Sequence, residues 1–329
     1  MKSFSKLITL IIAAVMAMSI TVFAADSYFI DMPTTGSGNA YVENLTKIFE
    51  GIKEKTEGRW DYAIYDGAQL GTEAETFDAT IFGTYPFSRT GTAVQMNTVK
   101  DLNFFNTPFL FDNLDQAVAS IPGLEEALQP SYEAAGLHLI ALETNGFRQL
   151  SSNREIKNLE DMKGLKIRTM EAPIQIAIWE ALGTAPTPVS FSELYLALQQ
   201  GTVDAQENPL DTIGNVHLYE QQKYIYLTNH MLQFNAFVVN KDFWDGLSAE
   251  DQKIISDVAH EVCAAEHAAL PEADAAWVKV FEDAGVTVET PSAEFIESCR
   301  NATAGIRDMV KESMGDPAVF DTMIGAISK

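Results

Sequence analysis

Cysteine is scarce in this chain: its 329 residues include only Cys263 and Cys299. A small disulfide-stapled fold is thereby excluded, because such folds are cysteine-dense. Two cysteines in predicted helices do not establish a bridge, and each also reads as a small buried apolar residue. Positive charge is scarce as well, with 22 Lys and Arg against 46 Asp and Glu and a net charge of −24. That balance argues against a nucleic-acid partner, since phosphate contacts need clustered Lys and Arg. It also disfavours an anionic membrane surface. Signatures of catalysis are missing too. There is no Gly-x-x-x-x-Gly-Lys phosphate loop, and Gly36-Ser37-Gly38 lacks the spacing of a nucleophile elbow. None of the five histidines forms His-Glu-x-x-His, because Ala264 stands four residues after His260. Beyond the first two dozen residues, no apolar run is long enough to span a bilayer.

Residues 1–24 read as a secretory signal. Lys2 and Lys6 precede an apolar run from Leu7 to Phe23, and Val22 and Ala24 place small residues before a cut at Ala25. No cysteine lies near that cut, so a lipid anchor is not expected. The remaining length suits two lobes. Strand-like and helix-like segments alternate through most of it, which predicts an α/β fold. Strands are expected at Tyr28–Ile30, Trp60–Tyr65, Leu137–Leu142, Leu165–Arg168, Ile225–Leu227 and Ala236–Val239. A helix broken near Pro122 and Pro130 is expected over Asn113–Ala135. Ser248 with Asp251 resembles a capping box and opens a long helix to about Ala284, and Phe295–Met314 reads as a further helix. On that helix His260, Cys263 and His267 share one face at i, i+3 and i+7. Their spacing suits zinc and a metal-assisted hydrolase, yet one helix rarely supplies a whole site. The simpler reading is an inner helix face that carries two His and a Cys. No metal or cofactor is expected.

The segment from Gly164 to Leu210 is the most specific part of the chain. It holds Gly-Leu-Lys-Ile-Arg-Thr-Met-Glu-Ala-Pro, then Gln-Gly-Thr-Val-Asp-Ala-Gln-Glu-Asn-Pro-Leu. It resembles the DctP family, the solute-binding proteins of tripartite ATP-independent periplasmic (TRAP) transporters. Gly67-Ala68-Gln69-Leu70-Gly71, Pro108-Phe109-Leu110-Phe111, Gly146-Phe147-Arg148, Thr228-Asn229-His230 and Phe243-Trp244-Asp245-Gly246-Leu247 extend the resemblance in order along the chain.

The resemblance implies a two-lobed periplasmic-binding-protein fold of α/β lobes, with a ligand cleft between them and a long bridging C-terminal helix. Lobe I would comprise residues 25–145 plus about 235–270, and lobe II residues 146–234 plus about 271–329. It further implies a periplasmic protein, expected to be a monomer, that hands a small organic acid to the membrane subunits of a TRAP transporter. Uronates and other sugar acids, C4-dicarboxylates and keto acids are all compatible. A sensor or an ABC-type permease is the alternative destination.

In the family the arginine of Lys-Ile-Arg binds the ligand carboxylate, and Arg168 holds that place. A guanidinium fork matches a carboxylate with two parallel hydrogen bonds. The competing role for Arg168 is a structural salt bridge with one of the many acids. Arg148 matches a second family arginine, or else pairs with an acid at the hinge. Asn208, stiffened by Pro209, offers both a donor and an acceptor. Phe191 is an apolar wall or a core aromatic. Glu73, at a helix start, accepts from ligand hydroxyls or merely complements the helix dipole. Glu193 and Glu207 are candidates to orient the arginines. The loops at 33–39 and 84–91 depart from the family pattern and are expected to face the cleft, with Arg89 adding a third positive charge.

Overall fold

The computed structural model describes residues 26–36 and 39–327, so the signal segment expected over 1–24 lies outside the described residues. Strands β1 (Tyr28–Pro33) and β2 (Trp60–Tyr65) pair in parallel, connected by helix α1 (Asn39–Lys55). Leu45, Ile48, Phe49 and Ile52 recur at helical spacing on α1, and all four are buried. Gly58, at φ +81°, turns the chain after this helix and donates its N–H to the Lys53 carbonyl at 2.8 Å. Helix α2 (Glu73–Ile81) opens on a capping box between Thr72 and Glu75. Strand β3 (Phe87–Gly91), the short helix α3 (Thr92–Gln95) and a 3₁₀ turn over Lys100–Asn106 lead to α4 (Leu114–Ala134).

Helix α4 runs unbroken through Pro122 and Pro130, contrary to the expected interruptions. Each interior proline costs on the order of 3 kcal/mol. Burial of Ala117, Ile121, Leu124, Leu128 and Tyr132 on the inner face offsets that cost.

The second half begins with β4 (Leu137–Ser152), sixteen residues long. It continues through α5 (Leu159–Met162), β5 (Lys166–Thr169), α6 (Pro173–Ala181), β6 (Ala185–Pro188), α7 (Leu194–Gln199), β7 (Ala205–Pro209) and α8 (Leu210–Asn215). Strand β8 (Tyr224–Asn240) is a single strand of seventeen residues where two short ones were expected. The polar middle of β8 hid its continuity. Helices α9 (Lys241–Gly246) and α10 (Ala249–Asp283), strand β9 (Thr287–Glu289), and helices α11 (Ala293–Ala302), α12 (Ile306–Ser313) and α13 (Pro317–Ile327) complete the chain. The single helix expected over Phe295–Met314 is thus two, parted around Gly305.

Seven strands form one mixed sheet in the order β3-β8-β4-β7-β5-β6, with β9 on the free end of β8. Strands β4 and β8 are antiparallel and run together through the whole molecule. Their ladder shifts register between Leu139 and Ala141, between Thr144 and Phe147, and between Arg148 and Leu150. Gly146, at φ +97°, supplies the middle irregularity with a conformation that side chains resist.

Apolar side chains gather in three cores. One lies around β1, β2, α1 and the start of α10. Another joins α7, α8 and the end of α10. The largest packs α4, α6 and the last three helices against the central sheet. Helix α10 is 35 residues long, about 52 Å at 1.5 Å per residue. Its Ser248 cap accepts the Asp251 N–H at 3.0 Å, as the sequence suggested. It touches α1 and β4 on one side and α8 and β9 on the other. Helix α13 packs on α4, so the C-terminal helices brace the first half as well as the second.

The contact between α8 and α10 is tight at Gly214, where an added Cβ would sit 2.3 Å from the Trp277 ring. A rigid indole has no soft end to move aside. Gly214→Ala is expected to destabilise the fold by about 1–3 kcal/mol, the usual range for overpacking, read as a drop in denaturant midpoint.

Candidate ligand-binding site

A cavity of about 490 Å³ opens between the central sheet and the elements that follow β2 and β6. Its floor comes from four neighbouring strands. Gln233 and Asn235 project from β8, Arg148 from β4, Asn208 from β7 and Arg168 from β5. The sheet order explains their convergence, because β4, β7 and β5 are adjacent and Gln149 of β4 lies opposite Asn208 of β7. One wall carries Thr35, Thr72, Glu73 and Asn97. The other carries Met170, Glu171 and the turn Ser190–Glu193 with Phe191.

Arg148 is fully committed to the protein. Its guanidinium pairs with the Glu207 carboxylate through Nε and, at 2.9 Å, through Nη2. Nη2 also donates to the Glu207 carbonyl at 2.7 Å and to Asn208 Oδ1 at 3.2 Å, while Nη1 donates to Gln233. Glu207 is wholly buried. Burial alone would push its carboxyl up, but Arg148 beside it and the hydrogen bonds from His230 and Arg148 bring it down to about 2. His230 Nε2 stands 3.2 Å from the same carboxylate.

Arg168 is the opposite case. It is only 3 % exposed, and among the described residues its one protein hydrogen bond runs from Nε to the Val189 carbonyl at 2.8 Å. No described carboxylate pairs with it, so the structural salt bridge weighed for this residue does not form. Burial, and then the neighbouring Arg148 charge, lower its pKa to about 10, which leaves it a cation at neutral pH. Arg168 is among the residues that line the cavity.

Asn208 is buried, accepts from Arg148, and donates through Nδ2 to Gln206 at 2.6 Å. Glu73 stands in the first turn of α2. Burial raises its carboxyl, and Arg168, the Thr35 hydroxyl, the Gly91 N–H and Arg148 oppose that rise. Phe191 is half-buried and forms part of the wall.

Five of the six sequence-predicted residues, Arg168, Arg148, Asn208, Phe191 and Glu73, therefore meet in one cavity. Arg89 does not. The stretch read as a cleft-facing loop contains β3, a buried strand paired with β8, and only its last residue, Gly91, reaches the cavity. Arg89 instead pairs with Glu143 and lies 3.9 Å from Glu266, because a cation enclosed in the interior requires a counter-charge. Of the first loop, Thr35 lines the cavity. Gln233 and Asn235 escaped the sequence reading. The alternation Gln-Phe-Asn, with Phe234 in the core, was the available signal.

The proposed zinc trio is dispersed among separate partners. His260 Nε2 is 3.2 Å from Glu125, Cys263 is buried beside Glu143, and His267 Nε2 accepts the Thr144 N–H at 3.0 Å. Among the described residues no group of three or more His, Cys, Asp or Glu is placed to hold a metal ion. Cys263 and Cys299 are free thiols in different cores.

The Glu207 environment fixes a pH dependence. Its folded pKa lies below the unfolded one, so its stabilisation is complete above the ordinary carboxylate range and is lost as pH falls toward about 2. Glu207→Gln leaves Arg148 buried without a counter-charge. The expected cost is about 3 kcal/mol at neutral pH, shrinking in acid, as read from urea unfolding at a series of pH values.

Comparison with known proteins bears on the family and the fold. The family described as bacterial extracellular solute-binding protein, family 7 (DctP) matches residues 33–313. A solute-binding protein of Verminephrobacter eiseniae is 36% identical over 239 residues, covering 72% of this chain and 71% of that one. The 2,3-diketo-L-gulonate-binding periplasmic protein YiaO of Escherichia coli is 30% identical over 292 residues, covering 88% and 89%. A TRAP periplasmic solute-binding protein from Desulfovibrio salexigens, solved with bound orotic acid, superposes with a TM-score of 0.87 at 27% identity, covering 92% of this chain and 99% of that one. Members of this family are substrate-binding proteins, not enzymes. The chain belongs to the DctP family of TRAP-transporter solute-binding proteins.

Proposed function

We propose that this chain captures a small organic acid in the periplasm through Arg168 and presents it to the membrane subunits of a TRAP transporter. One observation carries the reading. Arg168 is a buried cation that lines the cavity and, among the described residues, has no carboxylate partner. A charge removed from water without a partner is costly, and a ligand carboxylate cancels that cost. Arg148 and Glu207 form the platform: their mutual neutralisation holds Asn208 and Gln233 in place and leaves Arg168 to meet the ligand. Phe191 supplies an apolar wall. The E. coli relative named for diketogulonate and the D. salexigens structure with orotate both concern carboxylic acids.

The cavity is closed by movement of two lobes, with the pivot where β4 and β8 shift register around Gly146. Lobe I comprises residues up to about 145 with about 235–270, and lobe II comprises 146–234 with the rest, its terminal helices straddling both. Among the described residues no helix is long and apolar enough to cross a membrane, which suits a subunit that carries ligand to a membrane partner.

A thermal-shift screen of organic acids is expected to give a hit worth roughly 2–4 kcal/mol of added stability at saturating ligand. For that ligand, Arg168→Ala is expected to cost at least ~2 kcal/mol, roughly 30-fold in Kd, by calorimetry. Arg168→Lys recovers part of the loss, since an ammonium lacks the bidentate fork. Unchanged affinity in Arg168→Ala would overturn the assignment.

A further inference from the structure

The cavity contains more negative charge than an anion site needs. Among the described residues Arg168 is its one cation without a carboxylate partner, since Arg148 is neutralised by Glu207. Against Arg168 stand Glu73 in the cavity wall and Glu171 and Glu193 at the exposed margin. Glu75 also borders the space, but its carboxylate is occupied by the Thr72 N–H and hydroxyl.

Glu73 is the decisive group. Of the charges acting on its carboxyl, Arg168 opposes its burial most strongly. A ligand carboxylate that settles on Arg168 therefore shares that cation with Glu73. A second ligand carboxylate would find no further free cation among the described residues of the cavity and would be repelled by Glu73. A hydroxyl or ammonium in that position would donate to Glu73 instead. Neutral hydrogen-bonding groups on Asn97, Thr212, Gln233 and Asn235 share the rest of the lining with apolar side chains such as Val94 and Met170.

We propose that Glu73 selects the ligand by charge: the site takes an acid with a single carboxylate and a hydroxyl or ammonium at its far end, and rejects the dicarboxylate of the same skeleton. This rests on the reading of Arg168 as the carboxylate clamp. It narrows the acids compatible with the fold by removing C4-dicarboxylates and aldarates, and it gives Glu73 a role in specificity beyond complementing the helix dipole.

Matched probe pairs test it. Gluconate against glucarate, and 4-hydroxybutyrate against succinate, each differ only in whether the far end is an alcohol or a carboxylate. In calorimetry at neutral pH, the monocarboxylate of a binding pair is expected to bind at least ~10-fold tighter. Glu73→Gln keeps the shape and removes the charge. It is expected to bring the ratio near one, by improving the dicarboxylate, with little change in melting temperature. Mild acid acts in the same direction on the wild type. It protonates Glu73 before an ordinary carboxyl, while Arg168 stays charged and the Thr35 hydroxyl and Gly91 N–H do not titrate. Equal or tighter dicarboxylate binding, or a Glu73→Gln effect that weakens both members alike, would overturn the proposal. If Arg168→Ala still abolishes binding in that case, the clamp survives and only the role of Glu73 falls. If no organic acid in the thermal-shift screen binds the wild type, the clamp reading and this proposal fail together.

Discussion

The antiparallel pairing of β4 with β8 is the constraint on which the other features depend. Both strands are long, and each contributes side chains to the cavity: Arg148 from β4, and Gln233 and Asn235 from β8. A regular ladder of that length would make a stiff twisted ribbon. Three register shifts interrupt it, and the middle one, with Gly146 in a left-handed conformation, falls two residues before Arg148. The irregular segment and the cavity floor are therefore one stretch of chain. The shape of the cavity floor and the strand geometry at this place cannot vary independently.

The electrostatics follow from where charge is buried. A protein of net charge −24 offers an approaching anion no general attraction. Local arrangement has to supply what the overall field withholds. Two arginines are buried within reach of one another, and the sheet treats them differently. Arg148 receives a carboxylate from the neighbouring strand, with His230 behind it. Arg168, one strand further on, receives only a backbone carbonyl. Had both been neutralised, the floor would be a neutral polar surface. Had neither been, two enclosed cations would repel each other with little solvent to screen them. One paired and one unpaired arginine is the arrangement that remains stable while staying receptive to an anion.

Much of this was legible in the sequence. Alternation of strand-like and helix-like segments gave the fold class, and Leu45, Ile48, Phe49 and Ile52 placed a helix correctly because a one-sided helix advertises itself through its period. The motifs around Arg168, Arg148 and Asn208 located three adjacent strands of the floor. What stayed hidden has a common cause. Strands β4 and β8 both turn polar partway along, so β4 was expected only over its apolar Leu137–Leu142 stretch and β8 as two separate short strands. Arg89 was misplaced because a charged residue in a Ser-Arg-Thr-Gly run looks like a loop, and nothing local reveals the glutamates that β4 and α10 bring to it. The continuity of α4 was hidden for a related reason: proline propensity is local, whereas the burial that overrides it is tertiary.

The two buried thiols belong to different cores, Cys263 to the one beneath α1 and Cys299 to the one beneath the C-terminal helices. Each is unpaired, and burial raises both above the ordinary thiol range. Neither can react until its own core opens to solvent. The molecule thus carries a built-in reporter in each of two packing regions. The order in which these thiols become reactive would time the loosening of one region against the other, which a single global melting curve averages away.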